Sequence, residues 1–371
     1  MNTLQLNATS KVIATKLGTI PSSGVVEQLG MAGPCASILD DKLIIIGGSN
    51  FPEEYPWNNG KKKILNEIHI GNLNVNNTID WIDKNNYTFP VAIYNGISVS
   101  TNTSMFVLGG VTSTGINKIV YRLRFGDQNT LQIDSVSMLP NHFIPITGGL
   151  IGKTFLIVGY CESGNLTYKF DIEKEVWEES KGLPGEIRSE SIVSAIVGLA
   201  GNEKLYLFGG RHINGSKLSI YDDCWSFSPR QNAWEYLGKM KLNEKESLIL
   251  MAAPIIRLNE TKLVFFGGDN AKSFKRRFEL ELRIKVAPNK EKEQLQLKLR
   301  KEFVSHHGFS PTIIEFDTQK KTWKKAGKVS NYLLPVCTSA LWWKDKIVIP
   351  TGEIKPGIRS NLILEMKMKA M

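Results

Sequence analysis

The sequence predicts an all-β protein, a six-bladed β-propeller, on three observations. A unit of about 50 residues recurs along the chain, the period of a four-stranded propeller blade. Each copy carries an apolar run that ends in glycine, and a tryptophan strand closes most copies.

The runs are LDDKLIIIGG (Leu39 to Gly48), TNTSMFVLGG (Thr101 to Gly110), GNEKLYLFGG (Gly201 to Gly210), LNETKLVFFGG (Leu258 to Gly268) and WKDKIVIPTGE (Trp343 to Glu353). A sixth, IGKTFLIVGY (Ile151 to Tyr160), keeps one glycine. Taking one glycine per copy at 48, 110, 159, 210, 268 and 352, the steps are 62, 49, 51, 58 and 84 residues. Each run reads as an inner strand covered on both faces, hence its Ile, Leu, Val and Phe content. Paired glycines end it where neighbouring backbones crowd and a Cβ would clash. A strand such as LTYKFD (Leu166 to Asp171) or TIIEFD (Thr312 to Asp317) follows. Then comes the outer strand carrying Trp81, Trp177, Trp234 or Trp323, whose indole packs between blades. This grammar is that of a kelch-type blade.

After Glu353 only NLILEMKM (Asn361 to Met368) remains, so the last blade lacks a strand. KVIATKLGTIP (Lys11 to Pro21) supplies it, and closing the ring from both ends removes an exposed edge. Residues 1–371 therefore form one propeller domain. The long step contains a lid-like insertion, residues 269–309, within the fifth blade. Its first part, FELELRIKV (Phe278 to Val286), alternates like a strand although Glu and Leu favour helix. Its second part spaces Leu295, Leu299 and Phe303 by four, an amphipathic helix.

Composition narrows the function classes. With 42% hydrophobic and 22% charged residues, the 371-residue chain is ordinary for a globular protein. No apolar run nears the roughly 20 residues that cross a bilayer. Met1 to Leu17 has no signal-peptide core, so a cytoplasmic location and no membrane partner are expected. The net charge is +10, concentrated at 61–63, 275–277 and 320–325 without interleaved base-stacking aromatics. Nucleic-acid binding is therefore not expected, while an anionic small substrate is compatible. Cys35, Cys161, Cys224 and Cys337 show no metal spacing, and neither metal nor other cofactor is expected. A homodimer is compatible with the sequence.

In a four-stranded meander the post-glycine loops and the inter-blade loops share one rim of the channel. Rim candidates are Asn50, His142, Tyr160, Arg188, Arg211, His212, Asp269 and Tyr332, each of which, taken singly, is more often an exposed loop or turn residue. Residues 352–359, Gly-Glu-Ile-Lys-Pro-Gly-Ile-Arg, break the repeat. Glu353 stands where a second glycine is expected, and a Pro356-Gly357 turn folds Arg359 back towards it. Such an acid is either paired structurally with Lys355 or Arg359, or is a partly buried base for proton transfer.

The segment TGEIKPGIRSNLILEM, after the strand WKDKIVIP, resembles the signature of the N-acetylneuraminate epimerase (sialic acid mutarotase) family, a six-bladed kelch-type propeller. The insertion between Gly268 and Phe316 and the lengthened loop from Ser49 to Gly60 agree with it. The resemblance runs over nearly the whole chain in rotated order, the family's opening blade lying here near Pro140 to Pro184. That implies a cyclically permuted branch, which a closed ring tolerates because its ends are neighbours.

The resemblance implies a catalytic carboxylate at Glu353 and an active-site arginine at Arg359, with Arg188 matching a further family arginine. Asn50, Arg211 and Tyr332 join them as rim candidates for binding the substrate. The implied activity is interconversion of the α and β anomers of a small anionic sugar, N-acetylneuraminate, by acid–base ring opening. The alternative is a non-enzymatic kelch module that binds a protein or carbohydrate partner on the same rim; it predicts that Glu353 and Arg359 are exchangeable.

Overall fold

The computed structural model describes residues 11–21, 29–82, 87–127 and 130–369. The N-terminal reading of Met1 to Leu17 falls mostly outside them. Among these residues, six four-stranded antiparallel sheets form the blades. Blade 1 runs outward through Cys35–Leu39, Lys42–Ile46, Ile68–Asn74 and Thr78–Trp81. Blades 2 to 6 begin with the innermost strands Ile97–Ser100, Ile144–Ile151, Val193–Val197, Ile255–Arg257 and Leu341–Trp343. Those six strands pack side by side around the channel, from blade 6 through blade 1 to blade 5.

Lys11–Thr19 is the fourth strand of blade 6, antiparallel to Ile358–Lys369. Its alternation shows why it holds the ring. Val12 and Ala14 enter the core between blades 5 and 6, and beyond a bulge at Lys16–Gly18, Leu17 enters the core between blades 6 and 1. One apolar cluster fills each of the six junctions. The tryptophans bridge them as expected: Trp323 of blade 5 lies 5.6 Å from Phe208 of blade 4 between ring centres. Trp177 of blade 3 donates from Nε1 to Ser137 Oγ of blade 2 at 3.1 Å.

Two sequence expectations are corrected. FELELRIKV is not a strand: Lys272–Val286 is helix α1 and Asn289–Val304 is helix α2, packed as a hairpin. Helix-favouring Glu, Leu, Arg and Lys decide the outcome, and each helix buries its apolar side against the other. The glycine register in blade 6 also shifts by one. The left-handed pairs are Gly47–Gly48, Gly109–Gly110, Gly209–Gly210 and Gly267–Gly268, and their counterpart is Thr351–Gly352, at φ 45° and 122°. Thr351 therefore replaces the first glycine, and Glu353 is the residue after the pair, not a substitute for its second member.

A β-branched residue at that φ is strained by about 1–3 kcal/mol. Its hydroxyl is held on two sides, accepting from Met31 N at 2.9 Å and donating to Ser360 O at 2.6 Å. At Gly352 the crowding foreseen for the glycines is real, since an added Cβ would lie 2.6 Å from Pro335 Cβ.

Candidate active site

Two to four positions ahead of each innermost strand a residue takes a left-handed φ: Gly33, Asn95, His142, Ser191, Ala252 and Cys337. Backbone hydrogen bonds chain five of them around the channel. Asn95 N donates to Gly33 O at 2.7 Å and Gly33 N to Cys337 O at 2.7 Å; Cys337 N donates to Ala252 O at 3.0 Å and Ala252 N to Ser191 O at 3.4 Å. The residue before each ring member then bridges to the residue after a glycine pair. The bridges are Ala32–Ser49, Tyr94–Val111, Glu190–Arg211, Met251–Asp269 and Val336–Glu353. Backbone geometry thus presents one side chain at an equivalent place in each of blades 1, 2, 4, 5 and 6.

In blades 4, 5 and 6 those side chains are Arg211, Asp269 and Glu353, all charged and all lining one cavity of about 320 Å³. Such a volume suits a small molecule. The remaining wall is assembled from both neighbours. Helix α1 contributes Phe274 and Arg277, α2 contributes Phe303, and the lengthened loop of blade 1 contributes Phe51, Pro56 and Lys62. The hairpin spans the opening: Phe274 lies under Arg211 of blade 4, 3.9 Å from the guanidinium carbon, while Phe303 meets Trp57 of blade 1 at 5.5 Å.

Glu353 and Arg359 come together as the sequence expects. They face each other across the two strands of blade 6, with Arg359 Nη1 3.4 Å from Glu353 Oε1. The Pro356-Gly357 turn adds a hydrogen-bond donor to this ion pair, Gly357 N to Glu353 Oε1 at 2.6 Å. Gly357 has φ 81°, and a Cβ there would lie 2.5 Å from Pro56 Cγ. The Glu353 side chain is 18% exposed and that of Arg359 8%. Arg359 stacks over Phe51 at 4.7 Å, yet among the described residues its buried Nε and Nη1 have no hydrogen-bond partner. Buried guanidinium hydrogens left unpaired are costly, so the site is built to receive an acceptor.

Around the pair the field is mixed. Arg277 is buried, donates to Ser273 Oγ at 2.9 Å, and lies over Phe303 at 5.0 Å. Burial lowers its proton affinity, with Asp269 and Glu353 opposing that. Burial pushes the Asp269 carboxyl above the ordinary carboxylate range, against the Ala271 N–H, Arg277 and Arg211, which pull it down. Burial raises the Cys337 thiol to about 12. Among the described residues no group of three His, Cys, Asp or Glu is placed to hold a metal ion.

Of the other sequence candidates, Arg211 and Asp269 line the cavity and Arg188, Asn50 and Tyr332 do not. Arg188 is buried, with Nη1 and Nη2 each 2.6 Å from an oxygen of Asp223 and Nη1 2.7 Å from Gly209 O. Its guanidinium is committed to the wall of blade 4 and does not line the cavity. Asn50 is buried beside Phe51 with Oδ1 unpartnered, and Tyr332 packs on the core between blades 5 and 6. Arg211 does line the cavity, although its Nε is engaged by Glu190 Oε2 at 3.1 Å. Phe274, Arg277 and Phe303 escaped sequence reasoning because they sit in the insertion, outside any repeat. Asp269 and Arg211 carried a usable signal: each directly follows a glycine pair, as Glu353 does.

A sequence model of the N-acetylneuraminate epimerase family matches residues 137–371, well over half the chain. Its first residue falls in the last strand of blade 2, Leu131–Met138. The N-acetylneuraminate epimerase of Salmonella arizonae is 26% identical over 221 residues, 58% of this chain and 54% of that protein. A kelch domain-containing protein of Vibrio cholerae is 27% identical over 220 residues, 57% of this chain and 58% of that one. A solved structure of YjhT aligns with a TM-score of 0.49 at 23% identity, over 64% of this chain and 68% of that chain. The chain spans about half the length of the curated relatives it matches. No helix among the described residues is long and apolar enough to cross a membrane.

Proposed function

Because the chain belongs to the N-acetylneuraminate epimerase family, we propose that it interconverts the α and β anomers of N-acetylneuraminate or a closely related 2-keto sugar acid. The observation that carries the proposal is the convergence of Glu353 and Arg359 in a small cavity where Arg359 has buried, unpartnered N–H groups. A sugar acid with a carboxylate on its anomeric carbon supplies the acceptors that these groups lack. It also places the anomeric hydroxyl next to Glu353.

Mutarotation requires removal of the anomeric hydroxyl proton, opening of the ring, rotation of the exposed ketone and reclosure from its other face. Glu353 serves as the base that takes the hydroxyl proton and returns it. The Gly357 N–H and Arg359 fix which oxygen of Glu353 faces the substrate. Arg359 grips the substrate carboxylate through charge-assisted hydrogen bonds. Arg211 and Arg277 add positive potential that favours an anionic ligand.

The test is anomer exchange followed by proton NMR, with freshly released α-N-acetylneuraminate. Rapid α-to-β conversion by wild type, slowed about 10²–10⁴-fold by Glu353→Gln, is the expected result. Equal rates with wild type, with a folded Glu353→Gln variant and without protein would overturn the proposal.

A further inference from the structure

We propose that Asp269 is the second proton-transfer group of this site, exchanging with the ring oxygen the proton that complements the one Glu353 exchanges with the anomeric hydroxyl. The inference rests on the mutarotase reading of the cavity and names the group that reading leaves unassigned.

Ring opening needs two protons to move. As Glu353 takes the hydroxyl proton, the bond from the anomeric carbon to the ring oxygen breaks, and that oxygen must be protonated as it leaves. On reclosure the new hydroxyl gives up its proton, attacks the ketone, and the carbonyl oxygen recovers a proton from Glu353. A protonated Asp269 donates in the first half and accepts in the second. The pair Glu353–Asp269 therefore holds one proton before, between and after the two halves, and no other proton source is required.

The fold places Asp269 for this role. It occupies in blade 5 the place that Glu353 occupies in blade 6: each follows a left-handed glycine and bridges to the residue before a ring member. The two ring members involved are hydrogen-bonded neighbours, Cys337 N donating to Ala252 O. Both carboxylates line the same cavity, as do Glu281 of α1 and Lys62 of the blade 1 loop. Among the described residues the Asp269 side chain accepts one hydrogen bond, from Ala271 N to Oδ1 at 2.8 Å, and forms no ion pair. That bond orients the carboxyl and leaves Oδ2 available.

The charged and titratable groups that act on Asp269 are Arg211 from blade 4, Arg277 from α1 and the Cys337 thiol from blade 6. Burial outweighs the Ala271 N–H and the two cations, and raises the proton affinity of the carboxyl. A general acid needs that bias.

The experiment measures anomer exchange against pH for wild type, Glu353→Gln, Asp269→Asn and Asp269→Ala. Asn preserves the acceptor for Ala271 N–H, so the loop is retained. A bell-shaped wild-type profile is expected, since the active pair holds one proton. Asp269→Asn should lose about 10²–10⁴-fold in rate together with the alkaline limb, and formate should restore part of the rate of Asp269→Ala. An Asp269→Asn protein that keeps the wild-type rate and profile overturns the inference while leaving the mutarotase reading intact. Slow variants that keep the bell and ignore formate also overturn it, making Asp269 a positioning residue. A wild type no faster than the spontaneous reaction overturns both.

Discussion

The indole of Trp57 in blade 1 lies 5.5 Å from the ring of Phe303 in α2, so the insertion of blade 5 reaches over blade 6 and touches the next blade. This contact roofs the cavity that Glu353 and Arg359 line. An aromatic pair of this kind is worth about 0.5–1.5 kcal/mol beyond its buried area. Trp57→Ala is expected to raise hydrogen exchange of the α2 amides by about 2–10-fold, which follows from that energy, with exchange in the blade cores unchanged. Unaltered exchange in α2 would show that the hairpin stands without the clasp.

Arg188 and Asp223 form a bidentate pair with both contacts at 2.6 Å, and Asp223 Oδ2 also accepts from Trp225 Nε1 at 2.8 Å. Removing one partner strands the other in a largely dry place. Arg188→Ala is therefore expected to lower unfolding stability by about 3–5 kcal/mol, measured by urea denaturation, with anomer exchange retained by the folded fraction. A variant of normal stability with weakened substrate binding would move Arg188 from the wall into the site.

His69 sits behind Trp81 in blade 1, and burial lowers its pKa from 6.5 to about 4. The unfolded chain takes up a proton near the ordinary value, whereas the folded protein resists until about pH 4. Stability from the neutral ring is thus present above pH 6.5 and lost as pH falls from there towards 4, by on the order of 3 kcal/mol if the whole shift is realised. Urea denaturation at pH 7 and pH 4.5 should show the loss in wild type and a smaller one in His69→Gln. An equal loss in both proteins would place the acid sensitivity elsewhere.

Much of this was legible in the chain. The blade cores were, because a strand buried on both faces must be apolar and a crowded backbone must be glycine, and both rules act locally. LYLFGG (Leu205 to Gly210) and LVFFGG (Leu263 to Gly268) announce their strands without reference to the rest. The break at Glu353 was visible for the same reason. Its register was not: Thr351 adopts a glycine conformation only because Met31 and Ser360, remote or across the sheet, hold its hydroxyl.

The helical insertion was legible only in its second half. In FELELRIKV the alternation of Leu and charge suits a strand as well as a helix, and the packing of α1 on α2 is a fact of assembly.

The sequence by itself determined the six blades, the closure of the ring by Lys11–Thr19, and the pairing of Glu353 with Arg359. All of these follow from periodicity or from residues a few positions apart. Only the tertiary structure decided that Arg211 and Asp269 share a cavity with Glu353, that Arg277 and Phe303 are carried to it by the hairpin, and that Arg188 is spent on Asp223. Arg211, Asp269 and Glu353 belong to different blades. Ring closure, with its hydrogen-bonded girdle from Asn95 to Ser191, converts separations of tens of residues along the chain into contact around one axis.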